Sequence, residues 1–417
     1  MTAPRPPSIV LMNRPPFLKT SGTNIVDESG KPIALRGVSL GCWLIMEGYM
    51  LSGRNIAEKE FKDSFEKALG HEALEDFTRS FRETFIRESD IKNIKTWGAN
   101  CIRVPFNYRI AEFEERPFSF NEEGIKYLDR TVEWCERYGL YCILDMHAAP
   151  GAQNPDWHAD SIGSEVKFFS DPFNQDRYFR LWRFLSERYK DSSAVAGYDV
   201  LNEPVLPLVQ EGLLRSIYEK VTKEIRDTDK RHIIFLEGTE WGTRILFLGK
   251  PSDNNTAYSI HTYPPPEFTF NWDVGTVYPG KVGKVTWNRN TLENLAKPYR
   301  KLIEHLNVPL YVGEFGVNWR DGHYGELQWV RDMLAVFAKH NLHWTYWTYK
   351  TVANSVFPDG VYRYVKNSPW VNRKGPVSGW ESYIKLWKTE RKNIIESWKT
   401  ENFVCNDRLH SVLKSHF

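Results

Sequence analysis

The sequence predicts an α/β fold, a (β/α)₈ TIM barrel with a small N-terminal β-hairpin and extended βα loops. Two observations lead to this prediction: eight short apolar runs recur along the chain, and the segments between them carry helical periodicity. Strands that alternate with helices in this way form a parallel sheet, and eight of them close into a barrel. Because no linker, repeat or low-complexity tract interrupts the pattern, we expect a single barrel domain over residues 1–417, with its core at about 30–400.

The first element is a predicted hairpin over residues 17–38. Its two arms are short alternating segments, and Asp27 to Gly30 supplies the turn residues between them. The eight barrel strands are then predicted at 33–38, 100–105, 141–147, 197–203, 232–237, 257–261, 309–314 and 342–347.

Helical periodicity fills the intervening segments. Over residues 176–189 the apolar side chains fall on one face, and a last helix is predicted over about 379–400. A bare barrel needs about 250 residues, and this chain has 417. The excess lies at the termini and after the first, third, sixth and eighth strands, on the side where βα loops carry active sites.

Composition excludes few function classes. Hydrophobic residues make up 41% and charged residues 26% of the chain, as in soluble globular proteins. The net charge of +2 gives no reason to expect nucleic acid or a membrane surface as a partner. Aromatic residues reach 14%, which suits both a large core and the stacking of sugar rings.

The cysteines and the N-terminus favour a cytoplasmic protein. Five cysteines show no C-x-x-C pairing, and Cys101 and Cys142 lie in apolar runs where buried free thiols are expected. The first residues lack the apolar core of a signal peptide. No stretch reaches the roughly 18 apolar residues of a transmembrane helix. The alternative is a secreted protein whose signal is missing from this sequence.

Polar side chains end six of the eight predicted strands. A buried parallel strand ordinarily stays apolar or runs into a turn. Because the carboxyl ends of all barrel strands meet at one face, six polar ends predict a functional site there. They are Arg103; Asp145 and His147; Asn202 and Glu203; His261 and Tyr263; Glu314; and Trp347.

Glu203 and Glu314 form the predicted catalytic pair. They end the fourth and seventh predicted strands, which lie on opposite sides of an eight-stranded barrel, so their side chains converge over its mouth. Two converging carboxylates can cleave a glycosidic bond: one protonates the leaving oxygen, and the other attacks the anomeric carbon or activates water. Glu237, Glu240 and Asp145 are less well placed as a facing pair.

Seven motifs lie in order between Arg36 and Lys350: R-G-V-S-L-G-C-W-L-I-M-E, R-V-P-F-N-Y, D-M-H-A-A-P-G-A-Q-N, L-N-E-P, H-T-Y-P, G-E-F-G and Y-W-T-Y-K. Together they resemble glycoside hydrolase family 5, the cellulase family, and are most similar to its exo-β-1,3-glucanase branch. The resemblance implies a retaining β-glycosidase on a TIM barrel, with a carbohydrate substrate, no cofactor and no metal.

The resemblance makes Glu203 the acid/base and Glu314 the nucleophile. The acid must stay protonated near neutral pH, and a neighbouring carboxylate raises its pKa until the nucleophile is consumed. Arg103 matches the arginine that hydrogen-bonds the nucleophile and keeps it ionised. Asn202 matches the amide that holds the sugar 2-hydroxyl, a contact that strengthens in the transition state.

The resemblance also implies the remaining substrate-binding residues. His147, His261 and Tyr263 match the polar ring around the reacting sugar, with Tyr263 near the nucleophile oxygen. Trp347 matches the tryptophan beneath that sugar. Glu47 falls where the exo-acting branch has a glutamate that binds hydroxyls of the terminal glucose, which favours a pocket releasing one sugar at a time.

Several features leave subsite specificity open. Candidates for stacking further sugars are Trp157, Trp241, Trp272, Trp287 and Trp319. Ser39, Gly41-Cys42, the W-T-Y-K ending and the segment N-P-D-W-H-A-D (154–160) depart from the pattern of the branch.

The leading hypothesis is a retaining, exo-acting β-glucosidase or glucanase that works by double displacement on β-linked glucosides or glucans. An endo-acting β-glucanase or a β-mannan enzyme is the alternative within the family. A non-catalytic glycan-binding barrel would need neither glutamate. A metal-dependent barrel hydrolase would be inactivated by chelation, but no ligand spacing supports zinc at His147, His158 and His261.

Overall fold

Eight parallel strands close into a barrel in the computed structural model, which describes residues 14–372, 374–375 and 378–417. In chain order the strands are β1 (Leu18–Ser21), β2 (Asn24–Asp27), β3 (Arg36–Ser39), β4 (Cys101–Asn107), β5 (Tyr141–Ala148), β6 (Val195–Asp199), β7 (Ile233–Glu237), β8 (Thr256–His261), β9 (Gly280–Val282), β10 (Val285–Trp287), β11 (Leu310–Phe315), β12 (His343–Tyr346), β13 (Lys350–Val352), β14 (Tyr362–Tyr364) and β15 (Val404–Cys405). The barrel runs β3-β4-β5-β6-β7-β8-β11-β12 and closes between β12 and β3.

The helices pack around this barrel. They are α1 (Glu58–Leu69), α2 (His71–Thr84), α3 (Glu88–Thr96), α4 (Glu122–Tyr138), α5 (Pro172–Tyr189), α6 (Glu211–Thr228), α7 (Pro266–Thr269), α8 (Arg289–Leu306), α9 (Glu326–Lys339), α10 (Trp380–Ser397) and α11 (Asp407–Lys414). The predicted helices at 176–189 and about 379–400 are confirmed as α5 and α10. Residues 238–255 form turns without a helix, so the alternation of strand and helix is interrupted between β7 and β8.

All eight predicted barrel strands are confirmed, but the fourth ends earlier than expected. The sequence placed its end at Glu203, whereas β6 ends at Asp199, the last residue paired with both neighbouring strands. Beyond it the chain turns, and Glu203 takes a left-handed backbone conformation with a φ of 48°. Asn202 and Glu203 therefore stand on a short turn above the barrel.

The N-terminal hairpin is confirmed, although its turn lies elsewhere. Strands β1 and β2 pair from Leu18–Asp27 to Ser21–Asn24, so the connection is Gly22-Thr23. The expected residues Asp27 to Gly30 form a second turn, because the Asp27 carboxylate accepts backbone N–H groups from Ser29 and Lys31.

This hairpin packs against the end of the barrel where the strands begin. Leu18 and Ile25 are buried in one apolar cluster with inner residues of the barrel, among them Ile143, Phe235 and Tyr311. The barrel is thus filled by apolar side chains at its base, which leaves the opposite face for polar groups.

Two further sequence predictions concern thiols and membranes. All five cysteines are free, and Cys101 and Cys142 are buried as predicted. Among the described residues, no helix combines the length and the apolar character needed to cross a membrane.

Candidate active site

Arg103 lies at the centre of a buried polar layer inside the barrel. It is fully buried in β4, and its guanidinium group contacts carboxyl groups from four other strands. Nη1 lies 2.6 Å from Oε1 of Glu314, and Nη2 lies 3.1 Å from Oδ2 of Asp145. Nε lies 3.1 Å from Oδ2 of Asp199, and Nη2 lies 3.3 Å from Oε1 of Glu237. One arginine therefore organises acids from β5, β6, β7 and β11.

These acids differ in how readily they ionise. Burial raises the pKa of Asp145 to about 7 and the pKa of Asp199 well above its usual range, although Arg103 opposes both shifts. For Glu237 burial acts in the same direction, but His261 and Arg103 outweigh it and lower the pKa. The layer thus limits its negative charge, because Asp199 stays protonated and Asp145 is only partly ionised near neutral pH.

Glu314 is held at the mouth of the barrel by two donors. Its Oε1 accepts from Arg103, and its Oε2 accepts from the Tyr263 hydroxyl at 2.7 Å. Both contacts are those that the resemblance implied. The preceding residue is Gly313, where a Cβ atom would lie only 3.0 Å from Nε2 of His261. The glycine therefore lets the imidazole lie directly beside the strand that carries Glu314.

The backbone of Glu203 is held by hydrogen bonds on both sides. Its N–H donates to Oε2 of Glu237 at 2.7 Å, and its carbonyl oxygen accepts from Nδ2 of Asn154 at 2.9 Å. A non-glycine residue at a φ of 48° is uncommon. These two contacts keep the turn in that conformation and aim the side chain at the mouth.

Two imidazoles contact the Glu203 carboxylate. Oε1 lies 2.5 Å from Nδ1 of His261, and Oε2 lies 2.9 Å from Nε2 of His158. Burial acts to raise the pKa of Glu203, but the two imidazoles outweigh it and hold the pKa well below its usual range. This reverses the expectation that a neighbouring carboxylate raises the pKa of Glu203, because two imidazoles contact its oxygens directly.

Both histidines hold protons more tightly than free imidazole. Burial disfavours the charged form of His261, yet Glu237, Glu314 and Glu203 raise its pKa well above the usual value. For His158 burial is again opposed by Glu203, and the pKa rises to about 9. Protons near Glu203 are therefore held on its imidazole partners.

The two glutamates face each other closely. One carboxylate oxygen of Glu203, one of Glu314 and a ring nitrogen of His261 all lie within 4.8 Å of one another. Such atoms can also surround a metal ion, but here the oxygens of Glu314 accept from Arg103 and Tyr263, and those of Glu203 face imidazoles. The absence of a metal stays a prediction.

Asn202 lies beside Arg103 as the resemblance implied. Its Oδ1 accepts from Nη2 of Arg103 at 2.8 Å, which fixes the orientation of the amide. Its Nδ2 is buried and has no hydrogen-bond partner among the described residues. A buried donor without a partner is costly in a folded protein, so this N–H group is available to a sugar hydroxyl.

His147 and Trp347 form one wall of the site. Their rings stack with centroids 5.5 Å apart and planes 4° from parallel. Nδ1 of His147 lies 2.8 Å from Oδ2 of Asp145, and Nε1 of Trp347 donates to the Tyr49 hydroxyl at 2.7 Å. Burial lowers the pKa of His147 to about 3, so this ring is neutral.

Comparison with known proteins places this arrangement in a family. The family model for cellulases, glycosyl hydrolase family 5, matches residues 26–352. This chain belongs to glycosyl hydrolase family 5. It is therefore a glycoside hydrolase with a carbohydrate substrate, and the resemblance predicted from the seven motifs is confirmed.

Relatives within family 5 carry several names. A β-xylosidase of Phanerodontia chrysosporium is 34% identical over 348 residues, which are 81% of this chain and 71% of that protein. Endoglucanase C of Acetivibrio thermocellus is 27% identical over 312 residues, covering 67% and 89%. A glucan 1,3-β-glucosidase of Kluyveromyces lactis is 28% identical over 216 residues, covering 48% and 50%.

The fold is shared with solved family 5 structures. Cel5A of Thermotoga maritima, solved with mannotriose, has a TM-score of 0.59 to this chain at 19% identity, covering 91% of this chain and 97% of that one. This likeness confirms the predicted TIM barrel.

Glu47 lies within this family 5 site and not on its surface. Only 2% of it is exposed, its Oε2 accepts from Nε1 of Trp157 at 3.0 Å, and its Oε1 is buried without a partner among the described residues. Burial raises the pKa of Glu47 to about 8, with His158 opposing and Glu314 adding to the shift. The side chain is therefore mainly a neutral acid at pH 7.

Of the five loop tryptophans, three lie near the mouth of the barrel and two pack elsewhere. Trp157 contacts Phe357 at 5.3 Å between ring centroids, and Trp272 lies 6.3 Å from the same ring. Trp241 is exposed, and its Nε1 donates to Asp156 beside Trp157. Two others pack elsewhere: Trp319 is buried, and Trp287 lies in the β9–β10 hairpin against the core.

Sequence reasoning missed three contacts around Glu203 and Glu314. Glu237 was set aside, although its strand ends on an acid like the others. His158 was weighed only as a metal ligand, and no sequence signal placed it on Glu203. Tyr49, which orients Trp347, lies in a loop whose path the sequence does not give.

Proposed function

We propose that this chain is a retaining β-glycosidase that hydrolyses β-linked glucosides or glucans from an end by double displacement. The observation that carries the proposal is the spacing of Glu203 and Glu314, whose nearest oxygens lie within 4.8 Å. Retaining enzymes hold their two carboxyl groups about 5–5.5 Å apart, whereas inverting enzymes leave about 6.5–9.5 Å for a water molecule.

In the first step Glu314 attacks the anomeric carbon. Arg103 and Tyr263 donate hydrogen bonds to its two oxygens, which orients the nucleophile. The bond from the anomeric carbon to the leaving oxygen breaks, and Glu203 gives that oxygen a proton. The Nδ2 group of Asn202 donates to the 2-hydroxyl, and Trp347 packs against the sugar ring.

In the second step water displaces Glu314. Glu203, now without its proton, accepts a proton from the water as the water oxygen bonds to the anomeric carbon. The bond to Glu314 breaks, the carboxylate returns to Arg103 and Tyr263, and the sugar leaves with its original anomeric configuration.

Removing the acid should separate good leaving groups from poor ones. We expect Glu203→Ala to lower kcat/KM by roughly 10²–10⁴-fold on an alkyl or disaccharide substrate, and to have little effect on the glycosylation step of a dinitrophenyl glycoside, because that phenolate leaves without a proton. Azide should then yield a β-glycosyl azide, measured by NMR. Glu240→Ala, at an exposed glutamate beside the mouth, is the control; equal losses on both substrates in Glu203→Ala would contradict the role.

Exo action is proposed from the contact between Glu47 and Trp157. These residues follow β3 and β5, and their hydrogen bond joins two loops across part of the mouth. Oε1 of Glu47 has no hydrogen-bond partner in the described part of the chain and is suited to hydroxyl groups of a terminal sugar. A site closed in this way accepts a chain end and releases one sugar at a time.

The proposed binding of sugar hydroxyl groups by Glu47 can be tested by kinetics at a single pH. Because its pKa is about 8, the side chain is neutral at pH 6, where glutamine resembles it. We expect Glu47→Ala to lower kcat/KM by about 5–150-fold, the effect of one lost buried hydrogen bond, and Glu47→Gln to stay within about threefold of wild type. Kinetics at pH 6 decide this, and equal losses in both variants would argue against hydrogen bonding to sugar.

A β-xyloside is the second candidate substrate, favoured by the 34% identity to a protein named β-xylosidase. Paired assays on aryl β-glucoside and aryl β-xyloside distinguish the two sugars. Chromatography of products from laminari-, cello- and manno-oligosaccharides distinguishes exo from endo action, since mixed oligomers would support the endo-acting alternative. Activity lost to a chelator and restored by metal would support the metal-dependent alternative.

A further inference from the structure

The segment 154–160, which departs from the glucanase pattern, is anchored firmly over the site. Asp160 at its end is buried; its Oδ1 accepts from the backbone N–H of Lys59 at 2.9 Å, and its Oδ2 accepts from Nδ2 of Asn107 at 2.7 Å and from Arg109. These contacts tie the segment to α1 and to the end of β4. The position of His158 is therefore fixed by the contacts of Asp160 with α1 and β4.

The side-chain amide of Asn154 lies beside Nε2 of His158, and its orientation is fixed by hydrogen bonds. The backbone N–H of Asp156 donates to Oδ1 of Asn154 at 2.9 Å, so the nitrogen side of this amide is known. One N–H of Nδ2 donates to the Glu203 carbonyl at 2.9 Å, and Nδ2 also lies 3.0 Å from Nε2 of His158. An amide N–H in that position favours a lone pair on Nε2.

Nε2 of His158 therefore has two neighbours with opposite requirements. The Glu203 carboxylate, 2.9 Å away, favours a proton on Nε2. The Asn154 amide favours the arrangement in which the proton has moved to Oε2 of Glu203 and Nε2 accepts. One proton thus lies between an imidazole and a carboxylate, and neither position is stabilised by all neighbours.

We propose that His158 is a positioning residue that stores the proton of the general acid and returns it to Glu203 for glycosidic cleavage. In the first step the Nε2–H bond breaks as Oε2–H forms, and Oε2–H then breaks as the leaving oxygen takes the proton. In the second step the proton from water passes to Oε2 and back to Nε2. The inference rests on the proposed retaining mechanism.

The charged groups around His158 support this storage. Glu203 faces it from the turn after β6 and Asp156 from its own loop, and Glu47, in the loop after β3, adds its charge only as the pH passes its pKa of about 8. His147, at the end of β5, has its ring centroid 5.8 Å away and is neutral. The surrounding charges are thus mainly acidic, and with burial opposing they raise the pKa of His158 to about 9.

A specific pH dependence follows. Above a pH of about 9 His158 has lost the stored proton, and Glu203 has none to give. Without His158, Glu203 faces the His261 cation alone, which keeps its pKa low, so protonated acid is lost at a much lower pH. The alkaline limb of the rate profile should therefore move toward acid when His158 is removed.

The test is the pH profile of kcat/KM for His158→Gln on phenyl and dinitrophenyl glycosides of the sugar that wild type hydrolyses. We expect the alkaline limb on the phenyl glycoside to fall by at least about two pH units, with a loss of roughly 10²-fold near pH 8, and the dinitrophenyl profile to change little. In His158→Ala, added imidazole should restore the alkaline limb, and it should not do so in Glu203→Ala.

Controls separate this inference from the function on which it rests. His71→Gln removes an exposed histidine paired with Glu66 and should leave the profile unchanged. A uniform loss at all pH values in His158→Gln, with the limb unmoved and no rescue by imidazole, would overturn the storage role. Melting temperatures identify a variant that fails to fold, in which case imidazole rescue of His158→Ala decides. If Glu203→Ala itself shows no dependence on the leaving group, the proposed function fails first.

Discussion

Glu314→Ala is expected to abolish turnover of an aryl β-glycoside, with kcat falling by on the order of 10⁴-fold or more, as for other covalent nucleophiles. The reason is that no other carboxylate among the described residues can take the place of Glu314 on its side of the site: Asp145, Asp199 and Glu237 contact Arg103 and are fully buried. Azide is small enough to occupy the vacated space, and attack from that side gives an α-glycosyl azide. NMR of the product establishes its anomeric configuration.

The same variant also separates chemistry from folding. Glu314 contributes one of four carboxyl contacts to Arg103, and the other three remain after truncation. We therefore expect the melting temperature to change little compared with the loss of activity. Unchanged activity, or a β-azide as the product, would refute the assignment of Glu314 as nucleophile.

Arg103→Ala is expected to have the largest effect on stability. Its removal leaves buried carboxyl groups without their cation, and breaking buried ion pairs in this way costs about 3–5 kcal/mol. Activity should disappear as well, because Glu314 and Asn202 both lose the donor that orients them. The free energy of unfolding from urea titration gives the size of the effect.

The loss caused by Arg103→Ala should depend on pH. Without the guanidinium the folded-state pKa values of Asp145 and Asp199 rise further above their unfolded values, and Glu237 loses one of the groups that lower its pKa, so the folded state loses stability as pH rises. The deficit is therefore expected to be greatest near pH 8 and to shrink toward pH 5 as the acids take up protons. Arg183→Ala, which removes an exposed arginine paired with Glu224 and Asp227, should change the free energy of unfolding little at either pH. A pH-independent deficit would show that packing and not charge is lost.

The barrel could be predicted because its signals are local and repeated. Each strand is a short apolar run, and the eight runs needed no information on long-range contacts. The hairpin turn was placed wrongly because Asp27 to Gly30 and Gly22-Thr23 both have turn chemistry, and strand pairing chooses between them. The end of β6 was placed four residues late because the run V-L-N-E continues the apolar strand pattern in the sequence. Only the pairing with β5 and β7 shows that the strand ends at Asp199.

The site could be predicted as far as its residues lie on barrel strands or directly after them. Arg103, Glu314 and His261 follow from the rule that strand ends meet at one face. His158 does not, since its position depends on how Asp160 anchors a long loop to α1 and β4. The pKa direction of Glu203 failed for the same reason: it depends on two imidazoles, one of which only the folded loop supplies.

The left-handed backbone conformation of Glu203 affects the stability of the folded state as well as the proposed chemistry. A glutamate at a φ of 48° destabilises the folded state relative to glycine, which adopts that conformation without strain. The chain therefore has, at the position proposed for the general acid, a residue that is not the one most favourable for folding. Under the proposed function, Glu203→Gly is expected to relieve this strain and to lose turnover, so stability and activity make opposite demands on this position.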